Sequence, residues 1–519
     1  MRFSPALLLV LLLVNCSRQA PPSDSLLVIL LPENLTGDAA NGKEAAALQL
    51  ALWDAFQAQP AVRPLPVAHR RDLSSVPAGL VVDGYIAPGR FRLTLSGGQV
   101  ECGGSFDNCV KLLVDGVAGR AGITPRPIPS APSLLCLAGA AAPADALACL
   151  PQAAVADPKS SLVWTRWAAA VRATEGPAAA AALLGRAPAA EMAEFDAARL
   201  RAAEAEFRQD RRAHAKALAD LARLAPADRD VQLQAASEAA FLRDFSSSLA
   251  LYDRLLSRFP DPAVMNQAAY VAAFSGQRAK AESLADAARA ASPADPTFLD
   301  TRGEIAYFFA DPAAASRFFE QAAERNVAYQ GGIDLWKAAF ATRQAGDLPR
   351  AKSLFDRFLT VRNQGSARNT LVLQSIWEWH GGNDSGALEL ISSAMQSTDR
   401  GKAAFLKALM ALNQKDLSAA RALARDMDEA SIESAVLRSL IDDVAPPPGL
   451  PFPPEAVTAL RLYLRGDNRA ALTSLRAARE KMNPLVEGQW RKLDAVLQGQ
   501  QPQGLLPPSP DDWLAVLLR

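Results

Sequence analysis

The stretch PAVMNQAAYVAAFSGQRAKAESLADAARAASPAD (262–295) is followed by PTFLDTRGEIAYFFADPAAASRFFEQAAERNVAYQG (296–331), and the second falls on the first at a step of 34 residues. Both open with proline, place a small residue eighth (Ala269, Gly303), an aromatic residue thirteenth (Phe274, Phe308) and alanine twentieth (Ala281, Ala315). Extended outward, the register starts units at Phe195, Arg229, Pro262, Pro296, Gly332, Arg368 and Gly401, at steps of 34, 33, 34, 36, 36 and 33. The eighth residues are then Ala202, Ala236, Ala269, Gly303, Ala339, Ser375 and Ala408, every one small. Alanine also stands twentieth at Ala351, Ala387 and Ala420, and only His214 and Ser248 depart. Pro226, Pro260 and Pro293 close three units, and Gly276, Gly346 and Gly382 sit at the middle of three. Small residues are needed where two antiparallel helices touch, and proline stops a helix. The period predicts stacked helical hairpins.

With Phe319 and Phe355 at the aromatic place of the second helix, this pattern resembles the tetratricopeptide repeat. The resemblance implies a curved solenoid that binds proteins, with the first helix of each unit lining its inner surface. The expected fold is a small N-terminal α/β domain, a mixed sheet with two helices, followed by an all-α tetratricopeptide-type solenoid. Helical repeats are expected over 134–445, with a degenerate first unit around Gly176, and Pro446-Pro447-Pro448-Gly449 marks a break over 446–454. A degenerate repeat turned by Gly466-Asp467 and a capping helix opened by Ser509-Pro510-Asp511-Asp512 fill 455–519.

Aromatic residues recur along the expected inner face. The candidate partner-binding row is Phe207, Phe241, Tyr270, Phe274, Tyr307, Phe308, Trp336, Phe340, Trp379 and His380, with Arg199, Asn266 and Arg343 beside it for polar groups. Such a row suits an apolar or extended peptide. The competing role, for at least half of these rings, is filling the space between helices.

The other end of the chain carries an address. Leu7 to Val14 is an apolar run of eight residues behind Met1-Arg2-Phe3, too short for a bilayer span of about 20 residues but suited to a secretory signal. Leu13-Val14-Asn15-Cys16 resembles a bacterial lipoprotein signal, although Asn15 stands where a small residue is usual. This implies a signal peptide over 1–15, lipid on Cys16, and a tether over 16–24. A plain secretory signal is the competing reading. Ser17 after the cysteine resembles outer-membrane sorting, so the expected location is the bacterial cell envelope, lipid-anchored, on the outer membrane and facing the periplasm. The four remaining cysteines are even in number, as an exported chain with disulfides would have. Of three possible pairings, the shortest loops join Cys102 to Cys109 and Cys136 to Cys149.

Residues 25–123 read as one small domain. Leu26 to Leu31 is a continuous apolar run, as in a strand covered on both faces, and a helix is expected from about Gly42 to Gln57 with Ala46, Leu50, Trp53 and Phe56 toward the sheet. Strands follow at 79–86, 90–95 and 99–102, then a helix from Phe106 to Ala121. The run Leu31-Pro32-Glu33-Asn34-Leu35-Thr36-Gly37-Asp38 and the later Val82-Asp83-Gly84-Tyr85-Ile86 resemble the TolB amino-terminal-type domain over about a fifth of the chain, which implies an interaction module without catalysis. A stiff proline-rich linker is expected over 124–133.

Several functions are disfavoured. Lys and Arg number 55 and Asp and Glu 55, for zero formal charge, so bulk charge offers nothing to nucleic acid. Three histidines, His69, His214 and His380, cannot readily build a histidine metal site. Gly37 to Glu44 nearly spells a phosphate-binding loop, but Glu44 replaces the hydroxyl that the metal needs. No Gly-x-Ser-x-Gly nucleophile or paired-histidine zinc helix occurs. The expectation is a non-catalytic, lipid-anchored scaffold that takes protein partners, with no cofactor, nucleotide or nucleic acid. The alternative is a small-molecule-sensing or enzyme-regulating receptor acting through the N-terminal domain.

Overall fold

The computed structural model describes residues 26–59, 62–68, 80–87, 90–95, 98–365, 370–396, 400–448, 450, 452–484 and 487–519. The expected signal peptide, the lipidated Cys16, the tether and His69 lie outside the described residues. The chain divides into two compact units, Met1–Ala239 with Ala250–Pro260, and Ala240–Leu249 with Asp261–Arg519.

The first unit opens with a mixed sheet. Strands β1 (Leu26–Leu30), β2 (Glu33–Asn34), β3 (Arg63–Val67), β4 (Leu80–Ala87), β5 (Arg90–Leu95) and β6 (Gly98–Gly103) run in the order β3-β1-β4-β5-β6, with β2 paired to β4. β3, β1 and β4 are parallel and β4, β5 and β6 antiparallel. Leu27, Val28, Ile29 and Leu30 are all buried, as a two-face strand requires, whereas β5 alternates inward Phe91, Leu93 and Leu95 with outward Arg90.

Strand β3 was not expected, because its sequence RPLPV carries two prolines. An edge strand tolerates them. Val67 accepts from the Leu31 amide on the β1 side, so odd residues of β3 face the sheet and Pro64 and Pro66 face outward.

Helices α1 (Ala39–Ala55) and α2 (Phe106–Ala121) pack on one sheet face through Leu48, Leu52, Val110, Leu113 and Val117. The inward stripe of α1 differs from the expected one. Leu48, Ala51, Leu52 and Ala55 are buried, whereas Ala46, Leu50 and Trp53 are only half-buried. Alanine is spread around this helix, so its apolar pattern does not single out a face.

The stretch 124–133 is not a free spacer: the Arg126 amide donates to the Ala55 carbonyl at 2.8 Å. Helix α3 (Ala131–Gly139) begins inside that stretch and puts Ala131 and Leu134 into the same core. Both expected disulfides are formed, Cys102 with Cys109 and Cys136 with Cys149. They tie β6 to α2 and α3 to α4 (Pro143–Ala156).

Beyond α4 the chain is helical hairpins. They are α5 (Ser161–Glu175) with α6 (Pro177–Leu184), α7 (Glu194–Phe207) with α8 (Arg211–Leu224), and α9 (Arg229–Phe241) with α10 (Phe245–Arg258). The second unit continues with α11 (Pro262–Phe274) and α12 (Arg278–Ala291), then α13 (Pro296–Phe308) and α14 (Pro312–Arg325). Next come α15 (Ile333–Gln344) with α16 (Leu348–Gly365), α17 (Thr370–His380) with α18 (Asp384–Ala394), and α19 (Arg400–Asn413) with α20 (Leu417–Arg425). Helix α21 (Ile432–Ile441), the hairpin α22 (Pro454–Leu464) with α23 (Asn468–Arg479), α24 (Trp490–Leu497) and the short α25 (Trp513–Leu517) complete it.

The repeat register explains these hairpins. The alanines at the twentieth place, Ala281, Ala315, Ala351, Ala387 and Ala420, are all fully buried, and so are Ala269, Ala339, Ser375 and Ala408 at the eighth. A β-carbon on Gly303 would stand 2.6 Å from the Phe319 ring, so only glycine lets α13 and α14 approach this closely.

Every unit also turns on the same two residues. The fifteenth is left-handed in all seven: Gln209, Arg243, Gly276, Ala310, Gly346, Gly382 and Lys415. The sixteenth is Asp210, Asp244, Asp311, Asp347, Asn383 or Asp416, whose side chain accepts an amide three residues on and caps the second helix. Gln277 alone makes no side-chain cap.

Candidate protein-binding groove

In the second unit, the first helices of successive hairpins present the expected aromatic row. Tyr270 and Phe274 stack at 6.3 Å between centroids, and Phe274 meets Phe308 edge-on at 5.5 Å. Tyr270 donates its hydroxyl to Glu304 at 2.5 Å. Lys337 bridges Asp300 and Glu304 at 2.7 and 2.6 Å. Burial alone would lower the Lys337 ammonium, but Glu304 and Asp300 more than offset it and hold it above its usual range. Beside this cluster Asp334 is 1% exposed, and burial pushes its carboxyl up to about 6. Burial likewise pushes the Tyr307 phenol up to about 12.

The row is not an open surface. A segment of the same chain, the strap 504–519, lies along it and touches four successive first helices. A β-carbon on Gly504 would stand 2.8 Å from the Phe308 ring of α13. On α15 the Trp336 indole donates to the Pro508 carbonyl at 2.7 Å, and on α17 the Trp379 indole donates to the Val516 carbonyl at 2.9 Å. On α19 Asn413 donates to the Leu517 carbonyl at 2.9 Å and Lys402 pairs with Asp511 at 2.8 Å. Arg519 stacks over Trp379 at 4.0 Å, donates to the Trp379 carbonyl at 2.7 Å and pairs with Asp384. Leu514, Ala515, Val516, Leu517 and Leu518 are buried there, as are Pro507, Pro508 and Pro510. Asp512 caps α25, and burial pushes its carboxyl up to about 6.

The turn before α24 is anchored on the same face. Glu487 is fully buried and paired with Arg243, Arg479 and Arg491, and the Arg491 guanidinium covers Phe274 at 4.6 Å and Phe308 at 5.3 Å. Burial, with Arg479 adding, pulls Arg243 and Arg491 down to about 10.

The expected site residues therefore divide. Trp336 and Trp379 are wholly buried under the strap, so they are not exposed contacts. Phe340 is buried among Trp336, Trp377 and His380, and His380 is held down to about 3 by burial first, then by Lys492, Arg343 and Arg519. Tyr270, Phe274, Tyr307, Phe308 and Phe241 are half-buried. In the first unit Phe207 is core, packed with Leu200 and Leu184 under the Arg172 guanidinium. Arg199 and Arg343 are engaged rather than available: Arg199 pairs with Asp54 at 3.0 Å, and Arg343 lies 3.4 Å from the Trp377 ring centroid. Asn266 keeps a buried oxygen without a partner. The expected capping helix α25 packs against α19 and α17 rather than closing the stack.

The first unit holds a feature the sequence did not announce, an open cavity of about 820 Å³ lined by Leu50, Trp53, Arg63, Phe195, Arg199 and His214 among others. The loop at Gly37 to Glu44 is an ordinary helix start. Asn34 accepts from Thr36 and Asp38 caps α1.

Fold and groove together define a small α/β domain joined to a tetratricopeptide-type solenoid. No family model matches the sequence and no curated protein matches it. It is similar in part to several solved structures. Residues 41 to the end of MamA from Desulfovibrio magneticus RS-1 share 16% identity over 33% of this chain and 97% of that one, at a TM-score of 0.29. The C-terminal part of a TPR repeat-containing protein from Cytophaga hutchinsonii shares 14% over 42% and 90%, at 0.35. PilW, a widely conserved type IV pilus biogenesis factor, shares 16% over 40% and 94%, at 0.31. The repeat assignment rests on the buried eighth and twentieth residues and not on these partial overlays.

Proposed function

We propose that this chain is a non-catalytic scaffold of the bacterial cell envelope, held to the outer membrane by lipid on Cys16 and gathering protein partners on its helical array. The observation that carries the binding part is the strap itself. The face that the first helices of the second unit share holds sixteen residues of polypeptide, numbered 504–519, by reading main-chain carbonyls with indole and amide donors. The address rests on the apolar run ending at Cys16, and two disulfides accord with an oxidising compartment. The TolB-like sheet then serves as a second interaction module near the anchor.

Two experiments test this reading. Cys16→Ser should abolish labelling by a fatty-acid probe and release the protein from membranes; unchanged fractionation would remove the anchor. Affinity purification from detergent-solubilised membranes after gentle crosslinking should recover defined partners, and bait alone would count against a scaffold.

A second reading has its own observation. The cavity of about 820 Å³ beside Trp53, Arg199 and His214 is large enough for a small molecule, as a sensing or regulatory receptor would need. Trp53→Ala should then abolish ligand-induced thermal shifts, with the helical array unaffected.

A further inference from the structure

We infer that the inner groove of the second unit is a peptide-reading site whose resident occupant, the strap 504–519, exchanges with a partner segment of the same chemistry: an extended proline-bearing run leading into an aspartate-capped apolar turn. This deepens the scaffold reading above by naming the surface and the class of partner.

Three observations carry it. First, much of the hold is on the main chain. Trp336, Trp379 and Asn413 donate to the carbonyls of Pro508, Val516 and Leu517, groups that any polypeptide in the same conformation presents. Second, selectivity comes from fixed features that define the ligand. Buried places receive Pro507, Pro508 and Pro510, an apolar floor receives Leu514 to Leu518, Lys402 meets Asp511, and Asp384 meets Arg519. Trp513 is set edge-on to Phe405 at 6.0 Å and tilted against Phe452 at 5.9 Å. Third, the strap is joined to α24 by a hinge. Gly499 and Gly504 are left-handed, at φ 67° and 65°, and between them Gln500, Gln501 and Gln503 are exposed. A short polar run between two such glycines lets the strap leave without unwinding a hairpin.

Exchange also follows from effective concentration. An attached strap competes at a local concentration of order millimolar, so a free partner gains access only when it binds more tightly or is itself tethered. The groove is therefore closed by default and opened by a better ligand.

The test begins with the intact protein. Native-state hydrogen exchange should show the amides of Ala515 and Leu518 exchanging at least 100-fold faster than protected amides of α17 and α19. Equal rates would make the strap inseparable core and overturn the inference. A protease site inserted at Gln501 then allows the strap to be cut free of α24. The cut strap should remain bound and be replaced by a fluorescent peptide of sequence 504–519. Trp379→Phe in the cut protein should weaken that peptide about tenfold, the loss of one buried hydrogen bond. Cut protein that unfolds, or a strap that a thousandfold peptide excess fails to displace over days, would also overturn it. Partners recovered from membranes would survive either failure, since they could bind elsewhere, so the scaffold reading is judged separately.

Discussion

The Trp379 indole donates to the main-chain oxygen of Val516 at 2.9 Å, joining residues 137 positions apart, and both partners are buried. Trp379→Phe keeps most of the ring volume and removes the donor, leaving the Val516 carbonyl buried without it. The expected cost is about 1–3 kcal/mol. Thermal unfolding measures the cost, and faster hydrogen exchange confined to 512–518 would locate it. A change spread evenly over α17 and α19 would show that the ring, and not its N–H, is what matters.

Ala310 and Gly346 occupy the same turn position, at φ 58° and 91°, yet only one is glycine. Ala310→Gly should stabilise the protein by roughly 1 kcal/mol by relieving a left-handed alanine, and Gly346→Ala should destabilise it by a similar amount. Nothing lies within 4 Å of a β-carbon at Gly346, so that change reports backbone conformation alone. Denaturant titration of both variants would check the opposite signs.

Gln277 is the one sixteenth residue that makes no side-chain cap. Gln277→Asp should let the new carboxylate accept the Lys280 amide, as Asp311 accepts that of Ala314 at 3.0 Å. A gain of about 0.5–1 kcal/mol is expected, and a change of zero or loss would mean that the turn here differs from its neighbours.

Gly303→Ala places a methyl group 2.6 Å from the Phe319 ring. Overpacking of this kind should cost roughly 1–3 kcal/mol. In the double variant with Phe319→Leu, part of that cost should return, a coupling that a double-mutant cycle reads directly.

Asp334 gives a pH dependence. Its folded carboxyl titrates at about 6, above the ordinary 3.8, so the folded state holds a proton that the unfolded state has released. Its contribution is complete in acid and is lost as pH rises through about 6. Asp334→Asn should therefore stabilise the protein by about 1–3 kcal/mol at pH 8 and do almost nothing at pH 4. Unfolding midpoints at the two pH values would test it; equal effects at both would sink the assignment.

The architecture was largely legible because its rules are local. Ala281, Ala315 and Ala351 mark helix contacts one period apart, and each lands fully buried where the period puts it. The aspartates and Asn383 at the sixteenth place were equally visible in the sequence, and their capping chemistry would have fixed six of the seven second helices to the residue. Strand β3 was hidden because Pro64 and Pro66 argue against a strand unless its edge position is already known. The groove was half legible. Periodicity says that Trp336 and Trp379 face inward, but nothing local says that Pro508 and Val516 will arrive above them, since that contact spans well over a hundred residues.

The outward prolines of β3 bear on how the N-terminal sheet meets other chains. An incoming strand needs alternating donors and acceptors, and this margin offers carbonyls without amide hydrogens. At the opposite margin Arg120 occupies the Gln99 carbonyl and a disulfide clamps Cys102. Crowded copies therefore meet no continuous donor and acceptor row along β3, and would not zip into a ribbon through that border.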